Sequence, residues 1–190
     1  GQLSYNSQSY AAQTYYYEQG KPVIRFAWNR SDIPGAPFNG SMCTPTEMTL
    51  KKHGDRYYLS ALPIKSTENL VVKSDKLDDF TLTHCTHELG SKTCRISFTV
   101  KEGDFTCDLY GLEMQLDKNG LTCGESMLPR LKNEPMKVDI ITDTNSVEIY
   151  LNGVANMVIA HVLDETKPTF TIHAEDPVEV QNLTVSELSL

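Results

Sequence analysis

Apolar and polar residues alternate over two successive runs in VDIITDTNSVEIYLNG, residues 138–153. Val138, Ile140 and Thr142 fall on one face of the first run, and Val147, Ile149 and Leu151 on one face of the second. This is the period-2 pattern of half-buried strands. The Asp-Thr-Asn-Ser corner at 143–146 joins the runs into a hairpin. Asn152-Gly153 then offers the positive φ angles of a two-residue hairpin loop, so residues 154–162 are predicted to return as the next strand. The alternation recurs at 94–100, where Ile96, Phe98 and Val100 oppose Arg95, Ser97 and Thr99, and at Phe105, Cys107 and Leu109. One face is core and the other solvent. Inner faces must meet, so Val147, Ile149 and Leu151 are expected to be buried together with Ile96, Phe98 and Val100.

Elsewhere the chain is punctuated in the same style. Gly20-Lys21 separates the tyrosine-rich YAAQTYYYEQG from VIRFAW, a hairpin too small to bury its own faces. Residues 29–41, NRSDIPGAPFNGS, hold two prolines and two glycines and read as a loop or linker, with a domain boundary there. His53-Gly54-Asp55, Lys101-Glu102-Gly103-Asp104 and Lys118-Asn119-Gly120 set further corners between short runs rich in β-branched and aromatic residues. The one helix candidate is STENLVV, residues 66–72, with Ser66 as its cap. The last run, 178–190, switches parity between Val180 and Leu183 and again between Val185 and Leu188, which predicts a bulge or bend in a long closing strand. The pattern specifies an all-β fold, a two-sheet antiparallel β-sandwich of the jelly-roll or lectin-like kind.

Composition narrows the function. Twenty-five Asp and Glu against 17 Lys and Arg, in 190 residues, give a formal charge of −8. No basic run is long enough to track phosphates, so nucleic acid and anionic membranes are excluded as partners. No apolar stretch approaches the ~20 residues that span a bilayer, which points to a soluble domain. Five cysteines cannot all pair, and as free thiols they lean towards an intracellular location, while a secreted parent stays open. Asn29, Asn39 and Asn182 begin glycosylation sequons.

Candidate chemistry is sparse. His84, Cys85, His87 and Cys94 have the side chains of a zinc site, but on an alternating strand Cys85 and His87 share a face that excludes His84. They read as ordinary strand residues, and no metal or cofactor is expected. Ser146, His161 or His173 and Asp143 could be assembled into a triad, yet no Gly-x-Ser-x-Gly elbow accompanies them. Asp143 is expected to accept backbone N–H bonds at its corner, and Glu148 to pair outward across the strands. Tyr10, Tyr15, Tyr16, Tyr17 and Trp28 have faces suited to stacking on sugar rings, Tyr10 and Trp28 above the others. Packing is the alternative reading for all five.

Three stretches resemble glycoside hydrolase family 32, the β-fructosidases. YAAQTYYYEQGKPVIRFAW, residues 10–28, is similar to the last blade of that family's five-bladed catalytic propeller. PGAPFNGSMCTPTEMTL, residues 34–50, resembles the passage out of the propeller, with Pro45 and Glu47-Met48 where Pro, one residue and Glu-Leu usually stand. Asp143, Thr144, Asn145, Ser146, Val147, Glu148, Ile149 and Tyr150 resemble the Asp-Arg-Ser-Ser-Val-Glu-Ile-Phe strand pair of its C-terminal sandwich. The resemblance implies that residues 1–41 are the end of the last blade, as a remnant hairpin, with a linker, and that residues 42–190 are the C-terminal sandwich.

The family's nucleophile, transition-state Asp and acid/base motifs are absent from this sequence. Glu175-Asp176-Pro177 mimics the second of them but reads as a turn. The implied function is therefore a non-catalytic module that supports the catalytic propeller of a fructan- or sucrose-hydrolysing parent. A stand-alone fructan-binding module is the alternative. The implied partners are the parent's own propeller, fructan, or a second copy meeting an unpaired strand edge at residues 23–28.

Overall fold

A computed structural model describes residues 3–6, 8–15, 19–32, 35, 37–161 and 163–189. Tyr16, Tyr17 and Pro34, singled out above, and Val162, the end of the predicted return strand, lie outside the described residues. Two antiparallel sheets make up the fold. The first contains β1 (Ser9–Thr14), β2 (Val23–Asn29), β4 (Thr46–His53) and β5 (Arg56–Pro63) in that spatial order, with the two-residue β3 (Ser41–Met42) beside β2. The predicted hairpin β1–β2 is present, and β3 to β5 extend it to a five-stranded sheet. Sheet membership thus runs across residues 41 and 42 to Pro63.

Corner residues dictate the hairpins that follow. The second sheet contains β6 (Val71–Lys76), β7 (Phe80–Glu88), β8 (Cys94–Val100), β9 (Phe105–Leu109), β10 (Leu112–Leu116), β11 (Gly120–Cys123), β12 (Ser126–Pro129), β13 (Met136–Asp143), β14 (Ser146–Leu151), β15 (Ala155–Ala160) and β16 (Thr169–Leu188). Asn152 and Gly153 take φ of 53° and 67° between β14 and β15, as the Asn-Gly pair requires. Tyr110-Gly111, at φ 51° and 82°, breaks the run 105–116 into a hairpin that its alternation conceals. Gly120 admits no other residue, because a Cβ there would lie 1.9 Å from the Leu128 carbonyl oxygen.

The twenty-residue β16 turns this sheet into a sandwich. Its first part lies between β7 and β9, with Ile172 opposite both Cys85 and Cys107. Its second part lies between β6 and β8, with Val185 opposite both Asp75 and Ile96. One layer is therefore β12-β11-β10-β9-β16-β7 and the other β15-β14-β13-β8-β16-β6. The crossing is made at register shifts between His173 and Val178 and between Gln181 and Thr184, where Asn182 takes φ 54°. The second shift, and a third between Glu187 and Leu188, sit where the sequence changes parity. Glu175-Asp176-Pro177 is not a turn but the exposed, bulged middle of β16.

Between the layers, Phe98 of β8 lies 5.9 Å, ring to ring, from both Phe105 and Phe170 of the facing layer. Val147, Ile149, Leu151, Ile96, Phe98 and Val100 are buried in one cluster, as alternation demands. Two expectations are corrected. The helix is a 3₁₀ helix at Lys65–Leu70, without a side-chain cap; Thr67, not Ser66, reaches back to the Ile64 carbonyl at 2.7 Å, and β-branched Val71 and Val72 leave it for β6. The strand 23–28 has no free edge either, since β2 pairs with β1 on one side and with β3 and β4 on the other.

Candidate functional site

The site with the densest chemistry is the seam where the small sheet meets the outer face of β14. All six residues of β14 are buried, because its inner face is core and its outer face is covered. Glu148 points outward from the strand, as expected, but into this seam instead of solvent. Its Oε1 accepts the backbone N–H of Thr44 at 2.8 Å and the Thr44 hydroxyl at 2.9 Å. Its Oε2 accepts the Tyr150 hydroxyl at 2.7 Å. Burial lifts the carboxyl above its ordinary range, while these bonds and the nearby Arg25 guanidinium pull it down. Cys43 lies beside it, packed on Ala27 and Val158, and burial pushes its thiol up to about 12.

The chain's first described residues strengthen the seam. Leu3 accepts the Asn156 N–H at 2.9 Å, and Asn156 accepts the Tyr5 N–H at 2.9 Å, so this segment runs parallel along β15. Arg25, buried on β2, donates to the hydroxyls of Ser4 at 3.1 Å and Ser9 at 3.0 Å. Lys51 of β4 reaches the Asn152 carbonyl at 3.0 Å, and the Ala61 N–H the Gly153 carbonyl at 3.0 Å. A cleft of about 240 Å³ opens beside these contacts, with Lys51, Leu62, Lys137, Asp139, Tyr150 and Asn152 among its walls.

Tyr10 and Trp28 are cross-strand partners on β1 and β2, their rings 6.4 Å apart in an edge-on arrangement. Both are partly exposed, but the Arg30 guanidinium sits 4.9 Å over the Tyr10 ring and Gly40 closes on the Trp28 indole. Tyr15 packs edge-on against Phe26 at 4.7 Å.

The remaining candidates are dispersed among other partners. His84 bonds Thr86 at 3.1 Å, His87 faces Asp75 at 3.6 Å, and Cys94 lies in the core against Thr142. Asp143 accepts the Thr144 N–H at its corner. Ser146 is buried opposite it, His161 contacts the Tyr110 carbonyl at 3.2 Å, and His173 lies beside His84. None of the five cysteines is in a disulfide. Asn29 is buried and bonded to Ser31 and Ser41, so its sequon is occluded, whereas Asn39 and Asn182 are exposed. Sequence reasoning missed the roles of Arg25, Thr44 and Glu148, which depend on one sheet covering another. Among the described residues no helix is long and apolar enough to cross a membrane.

The fold has clear counterparts among solved structures. An exo-inulinase from Aspergillus awamori matches 98% of this chain and 44% of its own at 15% identity, with a TM-score of 0.75. A fructan 1-exohydrolase IIa from Cichorium intybus matches 98% of this chain and 49% of its own at 10% identity, with a TM-score of 0.76. A glycoside hydrolase family 32 β-fructofuranosidase from Bombyx mori matches 99% and 42% at 15% identity, with a TM-score of 0.71. The chain spans about half the length of these structures. No protein-family profile and no curated protein matches the sequence. The all-β architecture of a sandwich with an attached sheet is thus shared with glycoside hydrolase family 32 structures.

Proposed function

We propose that this chain is the C-terminal part of a family 32 β-fructosidase, in which the small sheet is the last propeller blade and the sandwich is a non-catalytic support. The division between the two then falls where sheet membership changes, after Pro63, and not at residues 41 and 42. One observation carries this reading. Of the large apolar side chains left exposed among the described residues, nine of eleven lie between Tyr10 and Leu62, on or beside the small sheet. So many exposed apolar side chains gathered on one single-layer sheet are what further blades of a parent propeller would cover. Without them the same surface pairs two copies of the chain.

The coding sequence upstream of Gly1 tests the reading, and an Asp-Pro-Asn-Gly motif is the expected finding. Its absence there would sink the assignment. The chain alone should release no fructose from sucrose, inulin or levan, since hydrolysis with retention needs two carboxyl groups about 5 Å apart, one with a raised pKa. A fructan-binding module is the second reading, favoured by the part-exposed Tyr10 and Trp28. Calorimetric binding of levan or inulin that is lost in Trp28→Ala would replace the first reading with this one.

A further inference from the structure

The formal charge of the chain is −8, yet one end of the seam is cationic. Two adjoining cavities of about 530 and 440 Å³ share Arg130 and Lys132, and Arg56, Lys101 and Lys118 complete five Lys and Arg side chains against the carboxylates of Asp55, Glu102 and Glu134. Several of these charges are already engaged. Glu134 is held by His53 at 3.0 Å and Lys101 by Glu179 at 2.9 Å. Arg56 and Lys132 have no ion-pair partner among the described residues. Arg130 is part-buried: its Nε is enclosed without a hydrogen-bond partner, one terminal nitrogen makes long contacts, 3.3 Å each, to the carbonyls of Lys101 and Glu134, and the other has no protein acceptor among the described residues. A guanidinium terminal nitrogen without a protein acceptor, beside two further cations without ion-pair partners, is a setting that an oxyanion complements.

The larger cavity also has an apolar wall, formed by Tyr5, Tyr58, Val154 and Ala155. Its volume is that of a small-molecule site, with apolar lining and a few converging polar groups. We propose that it binds a monosaccharide-sized anion, a sugar carrying a phosphate or a carboxylate, with the oxyanion on Arg130, Lys132 and Arg56 and the ring against Tyr58 and Val154. The site draws on the β4–β5 corner, the segment after β12 and the β14–β15 turn, so it exists only when the small sheet is docked. It is separate from Tyr10 and Trp28, and its existence does not depend on a fructosidase parent.

Glucose 6-phosphate, glucuronate, inorganic phosphate and glucose serve as probes in an amide-shift titration of the full chain. The two sugar anions should give saturable shifts at residues 53–58 and 129–132 in the millimolar range or tighter. Phosphate should bind more weakly and glucose not at all. Arg130→Gln combined with Lys132→Gln should weaken both sugar anions roughly tenfold or more, without loss of the native amide pattern. Phosphate binding as well as the sugar anions would assign the site to bare oxyanions and overturn the sugar part. Absence of saturable shifts, equal binding of glucose, or a double variant that binds unchanged would overturn the whole proposal. If the double variant does not fold, Arg56→Gln, at an exposed hairpin corner, replaces it and must weaken both sugar anions.

Discussion

Ile149 on the sandwich and Leu50 on the small sheet are aliphatic residues on regular strands, yet the first is fully enclosed and the second keeps 70% of its surface in water. The sandwich has two layers and can bury the inner face of each. The small sheet is a single layer, and only the part that touches β14 and β15 is covered. Alternation in sequence therefore says that a face is to be buried, but not whether the burying partner belongs to the same stretch of chain.

Substitutions on the two sheets should diverge accordingly. Ile149→Ala is expected to cost about 2–5 kcal/mol in urea unfolding, the cost of a large-to-small change in a closed core. A loss no larger than that of a surface change would mean that the layers are not packed as described. Glu148→Ala comes next, since it leaves the Thr44 N–H and the Tyr150 hydroxyl without their acceptor in a buried seam, at about 1–3 kcal/mol for each such group. Hydrogen exchange should then quicken in β1 to β5 and not in β8 or β13. Uniform quickening would show the two sheets to be one cooperative unit.

The same carboxylate gives a pH test. Burial holds the folded-state pKa of Glu148 above the ordinary 4.5. Its contribution to stability is therefore full below that value and is lost as pH rises through the raised folded pKa. Glu148→Gln is neutral at every pH, so it should gain on the wild-type chain across that window and stay level on either side. A stability difference that is flat with pH would place the carboxylate in water. The smallest effect is expected from Leu50→Ser with Tyr57→Ser, which should change stability by no more than about 0.5 kcal/mol each while lowering self-association in light scattering. An effect as large as that of Ile149→Ala would show that the exposed surface is already covered.

Much of the sandwich was legible because its signals are local. The corners at 143–146 and 152–153, the facing triads around Ile96 and Ile149, and the parity changes in β16 follow from side-chain period and turn chemistry. The seam was not legible, because Glu148 and Tyr150 carry the pattern of a solvated face whether water or another sheet lies beyond them. Nor could composition show that the Pro- and Gly-rich stretch at 29–41 joins two strands of one sheet. Ser66 caps nothing because the helix is a short 3₁₀ turn that already begins at Lys65; Thr67 instead donates its hydroxyl to the Ile64 carbonyl three residues back. Of the aromatic candidates, Tyr10 and Trp28 were found as neighbours, but the cation over one ring came from Arg30, which no stacking pattern announces.

β16 is synthesised after every strand it joins, and four of those strands, β6, β7, β8 and β9, have it as a ladder partner. Until it emerges, β6 and β7 have no hydrogen-bonded neighbour in the native topology, and the two layers have no covalent strand between them. The nascent chain can form local hairpins such as β13–β14, but it must hold its apolar faces open until residues 169–188 arrive. Long-range pairings of this kind fold slowly and expose unpaired edges meanwhile. A ribosome stalled before Thr169 should therefore carry a chain that chaperones recognise, and release of that single strand should close both layers at once.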